Sequence, residues 1–221
     1  MSSNSMEPES AVEMFKRVPV QGDTPRKYAV FIGDDDCPTI SRIREEVSYQ
    51  VEKWSDTVHT KLTFVNHLYK LKSERSFLRG ESVLSNNVTE CFGKCFSYAI
   101  AQNAGNVDGL KESIELIVPH AFGIHENCKE WCAYKKDSAT YKPKDLPYGK
   151  DLTGEKLRKA LEEVFEVYTN ENVLKKIAQN ASSQRNESLN STTGSKNPKI
   201  RLYGGSGSAA SGMCCSTKKF G

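Results

Sequence analysis

The 221-residue sequence has no apolar run near the roughly 18 residues that a membrane span requires. Its first stretch, MSSNSMEPES, holds no apolar signal core, so entry into a secretory route is not expected. No internal repeat is visible, which sets aside solenoid and propeller architectures. Charge of one sign is also scarce: 31 basic against 28 acidic residues leave a formal +3. That is too small a field to argue nucleic-acid binding by itself. The cysteines do not suggest a disulfide framework, because seven is an odd number and the chain is not small. They read as reduced thiols, which points to the nucleus or cytoplasm. The Asn-x-Ser/Thr triplets at Asn87, Asn180, Asn186 and Asn190 are then chance matches.

What is present is enough for one sizeable domain, or a domain with an insert. The stretch 7–18 predicts a short helix. Ser10 is its N-cap, Glu13 closes a capping box, and Ala11, Met14, Phe15 and Val18 fall at helical spacing. RKYAVFIGD reads as a buried strand ending at Gly33 and Asp34. Pro38 suits the first turn of a helix continued by TISRIREEV. YQVEKW reads as a second strand. DTVHTKLTFVNHLYKLK follows as a helix with Val58, Leu62, Val65 and Tyr69 on one face. Strand, helix, strand, helix is the pattern of an α/β layer.

After about residue 84 the pattern becomes almost wholly helical. Val88, Cys91, Phe92, Cys95, Phe96, Ala99 and Ile100 form one apolar stripe, and Leu110, Ile114 and Ile117 another. Leu157, Ala160, Leu161, Val164, Phe165 and Tyr168 form a third, and ENVLKKIAQN predicts a further helix. SSQRNESLNSTTGSKNPK is weakly periodic, and the small-residue tail from 204 is not expected to pack.

Three clusters carry possible chemistry. The first is HAFGIHENCKEWC, in which His120, His125, Cys128 and Cys132 are all good zinc ligands. Half of the chain's four histidines fall there. The spacing fits no common finger, and ordinary loop residues remain the alternative. Cys91 and Cys95 lie on the apolar stripe and are assigned to the core. The second cluster is GDDDCPTISRI. A carboxylate at the C-terminal end of a strand in an α/β sheet faces the usual site side. Asp34, nearest the strand, and then Asp36 are the candidate ligands for Mg²⁺, and an acidic turn ahead of the helix is the alternative. His59 stands on a polar helix face with Thr63, Asn66 and Lys70, where solvent exposure explains it equally well. The third is SSQRNESLNS, where Glu187 is flanked by Asn186 and Asn190. It is either a ligand with amide neighbours or part of a solvated polar helix.

Taken in order, YAVFIGDDDCPTI, KWSDTVHTKL, VPHAFGIHENCKEWCAYK, LPYGKDL and SSQRNESLNSTTGSKNPK resemble the Mutator-like transposase domain over about residues 10–205. The resemblance implies an α/β fold: a partial RNase H-like core with a mostly α-helical insertion. Its acidic triad would bind two Mg²⁺ or Mn²⁺ ions. By motif position the second acid falls on Asp34, with Asp36 as neighbour, and the third on Glu187. His59 resembles the histidine after the second strand. His125, Cys128, Cys132 and, less closely, His120 resemble the insert's Cys/His element, with zinc as a structural ion. The boundaries implied are an N-terminal helix and turn (1–27), the partial core (28–72), the helical insertion (84–180), a core helix carrying Glu187 (181–203) and a tail (204–221).

The first acid of the triad has no counterpart, since Asp23 lies in a QGDTP turn. The expectation is therefore a fragment whose ancestral reaction is metal-dependent cleavage of DNA at transposon ends and strand transfer, and which is inactive alone. Lys196, Lys199 and Arg201 form a basic stretch suited to phosphates, or a solvated loop. An exposed sheet edge invites self-association. A membrane partner is not expected. The alternative function is a non-catalytic, zinc-stabilised DNA- or protein-binding module derived from a transposon.

Overall fold

The apolar segments VFIG and EKWS pair as two parallel strands, β3 (Val30–Gly33) and β4 (Glu52–Ser55), with Val30 opposite Glu52 and Gly33 opposite Ser55. A parallel pair needs a crossover. Here it is α2 (Thr39–Glu46), whose Ile40 and Ile43 turn inward. In the computed structural model, residues 3–17, 20–21, 24–25, 27–35, 38–75, 84–184, 188–189 and 191–192 are described. Asp36, Glu187, Lys196, Lys199, Arg201 and the tail from 204 lie outside them.

Helix α1 (Ser3–Lys16) packs on α2 and shares its core: Val12, Phe15, Ile40, Ile43, Val47 and Val51 are buried together against Phe31 and Tyr49. The helix does not start at Ser10. It runs through that residue with Pro8 inside, so the expected capping box is not used. Met14, expected on the inner face, is exposed, and Val12 takes its place. Two short strands, β1 (Val20–Gln21) and β2 (Thr24–Pro25), form an antiparallel hairpin.

The larger core is helical. It is built by α3 (Thr57–Glu74), α4 (Asn86–Gln102), α5 (Val107–Glu115), α6 (Ile117–Ala121), α8 (Glu155–Thr169) and α9 (Glu171–Ile177). A short α7 (Ala133–Lys136) precedes α8. Side-chain caps start four of these helices: Asp56 accepts from the amides of Val58 and His59, Ser85 from Val88, Asn106 from Gly109 and Asn170 from Asn172. Phe64 is the hub, stacked on Phe96 at 4.5 Å and edge-on to Phe165 at 5.0 Å and Tyr168 at 5.3 Å.

Which face of α3 enters this core differs from expectation. Thr60, Phe64, Leu68 and Leu71 are buried, whereas Val58 (48%), Leu62 (55%) and Tyr69 (40%) stay exposed. The helix carries two apolar stripes, and the bulkier one with the aromatic ring wins the interior. Val65 alone of the expected stripe packs inward. A Cβ on Gly93 of α4 would come within 2.9 Å of its Cγ2, so the glycine sets how closely the two helices approach.

The helical excursion returns to the sheet. Ala181 makes a parallel bridge to Asp56 at the end of β4, and its carbonyl accepts from the amide and the hydroxyl of Thr57, both at 2.9 Å. Residues 1–181 form one compact unit and 182–221 another. In the second, Thr192 donates from its hydroxyl to the Ser188 carbonyl at 2.8 Å, a bond within one helical turn. Among the described residues, no helix is long and apolar enough to cross a membrane.

Candidate metal centre and strand-end acids

The loop after α6 folds the expected quartet together. His120 sits in the last turn of α6, its amide bonded to the Leu116 carbonyl at 3.0 Å. Gly123 then takes φ +77°, a left-handed conformation costly to a residue with a side chain, and a Cβ there would meet Asp151 at 2.8 Å. This turn reverses the chain. Amide bonds from Cys128 to the His125 carbonyl (3.1 Å) and from Cys132 to the Lys129 carbonyl (3.0 Å) wind the remaining ligands into tight turns. The Leu152 amide, bonded to the Ala121 carbonyl at 2.8 Å, ties the returning chain to α6.

Four atoms converge there. The Nδ1 atoms of His120 and His125 are 3.0 Å apart. Cys128 Sγ lies 3.4 Å from His120 Nδ1, and Cys132 Sγ lies 3.8 Å from His120 Nδ1 and 3.6 Å from His125 Nδ1. A tetrahedral zinc with ordinary Zn–N and Zn–S lengths requires N–N edges of about 3.3 Å and N–S edges of about 3.6 Å. The quartet fits a zinc ion with all four positions filled by protein, which is the pattern of a structural site. Among the described residues it is the one group of three or more His, Cys, Asp or Glu so disposed. The expected Cys91 and Cys95 core assignment holds, since both are half-buried against the helical core.

The surroundings favour neutral imidazoles and a shielded ion. His125, Cys128 and Cys132 are buried. Burial, then the neighbouring His125, holds the His120 imidazole below its ordinary range. Burial, then Cys132, pushes the Cys128 thiol up to about 11, so a metal must displace its proton. Tyr134 stacks on the His125 ring at 4.2 Å, and Tyr141 lies edge-on to both histidines, its hydroxyl 3.5 Å from His120 Nε2. Lys135 bridges the carbonyls of Glu126 (2.9 Å) and Cys128. The sequence reading missed these supports, although two tyrosines soon after Cys132 were a signal.

The strand-end acids are more open. Asp34 follows β3, and its Oδ1 lies 3.2 Å from His59 Nδ1, with both side chains about half exposed. The structure thus brings two sequence candidates together. Asp35, not singled out beforehand, accepts from the Ser55 hydroxyl at 2.7 Å. Lys53, buried in β4, donates to the Gly33 carbonyl and, at 3.0 Å, to that of Trp54, which fixes the strand end beside Asp34.

The family model for Mutator-like transposase matches residues 1–132. That span holds Asp34, Asp36, His59 and all four residues of the His/Cys quartet, and leaves Glu187 and the basic stretch outside. No curated protein and no solved structure matches the chain. With well over half of its length matched, and the converging His/Cys quartet inside the match, the chain belongs to the Mutator-like transposase family.

Proposed function

We propose that this chain is part of a transposase catalytic region. The sheet would be the partial RNase H-like core, and residues 84–180 its helical insertion. The reaction it descends from is metal-dependent cleavage of DNA at transposon ends followed by strand transfer. The observation that carries this reading is the return of the chain at Ala181 to the end of β4, after an excursion that is helical throughout its regular elements. Two parallel strands with acids at their C-terminal end, and a chain re-entering beside them, suit a site at the usual face of an α/β sheet. The third acid that the resemblance implies is Glu187, six residues after Ala181 in the sequence.

Asp34 and Asp35 are the described carboxylates at the end of β3, and among the described residues no third acid converges with them. They do not by themselves hold the pair of Mg²⁺ or Mn²⁺ ions that such chemistry uses. The expected behaviour of the purified chain is therefore DNA binding without nicking or strand transfer. Robust Mg²⁺-dependent cleavage of end-containing DNA, abolished by Asp34→Asn, would contradict this.

A second reading is favoured by the His/Cys quartet: a zinc-stabilised, non-catalytic module that binds DNA or protein. Mn²⁺ titration followed by electron paramagnetic resonance separates the two. One weak Mn²⁺ site that is lost in both Asp34→Asn and Glu187→Gln supports the catalytic ancestry. No Mn²⁺ site, together with zinc-dependent folding, supports the module.

A further inference from the structure

Beside His120, a groove of about 480 Å³ opens between α4, α5, α6 and the turn that joins Cys128 to Cys132. Its volume lies within the range of about 300–1,000 Å³ common to small-ligand sites. Two aromatic side chains are exposed in it, Tyr98 at 54% and Trp131 at 37%. Lys94 and Lys129 stand at its walls with the amide of Gln102, and no Asp or Glu lines it. Lys129 is paired with Glu112 at 2.6 Å, but that pair is exposed and readily exchanged for another anion.

We propose that this groove takes one unpaired nucleotide of DNA, a proposal that rests on the DNA-binding reading above. The base stacks on Trp131 and Tyr98, Gln102 meets its edge, and Lys94 and Lys129 take the flanking phosphates. Charge complementarity selects this occupant. Two cations with no lining carboxylate suit an anion, and two flat exposed rings suit a base rather than an aliphatic side chain. The metal centre has a direct part in it. Lys129 and Trp131 lie between two zinc ligands, and the His120 ring meets Trp131 at 5.0 Å. Zinc thereby fixes the wall that carries both the stacking ring and one cation.

The chain has two tryptophans, so Trp54→Phe leaves Trp131 as the sole indole reporter. The zinc-loaded variant is titrated with a paired duplex, with the same duplex carrying one bulged thymine, and with an acidic aromatic peptide. Expected are quenching of Trp131 by the bulged duplex and a preference of about tenfold for it over the paired one. Tyr98→Ala, on α4 and outside the His/Cys quartet, is expected to remove that preference while zinc content stays at its original level. Trp131→Ala, read by anisotropy of a dye-labelled duplex because it lacks the indole, should remove it too, and Trp131→Phe, read the same way, should restore much of it. Equal affinity for bulged and paired duplexes overturns the groove proposal and leaves DNA binding standing. Tighter binding of the peptide at Trp131 also overturns it. Binding of neither DNA overturns both this and the reading beneath it.

Discussion

The Nδ1 atoms of His120 and His125 face each other at 3.0 Å, with the thiol sulfurs of Cys128 and Cys132 within 3.8 Å of one or other of them. A single proton can satisfy two facing nitrogens, but the two buried thiols beside them are then left with weak sulfur hydrogen bonds. A cation at the centre satisfies all four. Zinc is the ion this donor set suits, because imidazole and thiolate ligands on a closed tetrahedron are its common structural environment.

Loss of one ligand should therefore unload the site. Cys132→Ser is expected to lower bound zinc to near zero. It should also remove the stabilisation that zinc supplies, about 4 kcal/mol when free zinc exceeds its Kd a thousandfold. Cys91→Ser, outside the quartet, should keep its zinc. Metal analysis and a thermal melt in excess zinc check both; equal zinc in the two variants would falsify the ligand assignment.

Zinc affinity should fall as pH falls. The Cys128 thiol, raised to about 11, is protonated at neutral pH, so binding releases its proton. Each thiol proton displaced means about tenfold weaker binding for each unit decrease in pH, so a site with two thiolate ligands weakens by up to about a hundredfold. His120, held low by burial and by His125, is neutral at pH 7 and adds no demand there. Its protonation steepens the loss only in more acid solution. Competition titrations between about pH 8 and 6 read this slope, and a flat profile would rule out a thiolate ligand.

The buried face of α3 can be checked by two alanine substitutions. Phe64→Ala removes the ring at the centre of the aromatic cluster and is expected to cost about 3–5 kcal/mol. Leu62→Ala changes an exposed side chain and should stay within about 0.5 kcal/mol. Urea unfolding of both gives the comparison, and a larger loss from Leu62→Ala would mean that the opposite face is buried.

Asp56 joins sheet and helix, capping α3 from the end of β4 with bonds of 2.8 and 3.0 Å to the amides of Val58 and His59. Asp56→Ala should cost about 1–2 kcal/mol. Asp56→Asn, which keeps a capping oxygen, should recover most of that loss. An alanine variant as stable as the parent in the same urea titration would contradict the cap.

Much of this was legible in the sequence where one apolar stripe dominates a segment. The α4 and α8 stripes face the core as their spacing requires, with Phe92, Phe96, Leu161 and Phe165 buried. On α3 two stripes compete, and spacing alone does not say that Phe64 beats Leu62. On α1 a good local cap at Ser10 sits inside a helix that began earlier. The metal quartet was legible from residue type and proximity in the chain. The use of Nδ1, the left-handed turn at Gly123 and the packing of Tyr134 and Tyr141 depend on contacts that sequence spacing does not encode. The pairing of Asp34 with His59 needed β3 and the start of α3 to be brought side by side. Asp36, Glu187, Lys196, Lys199 and Arg201 fall outside the described residues, so their expected roles stand as the resemblance implied them.

Zinc-edge X-ray absorption on the purified, reduced chain, with total metal measured on the same sample, is the most direct test of the centre. One zinc per chain with two nitrogen and two sulfur neighbours is the expected result. A chain that folds fully while retaining no zinc, or a zinc bound to oxygens, would contradict it.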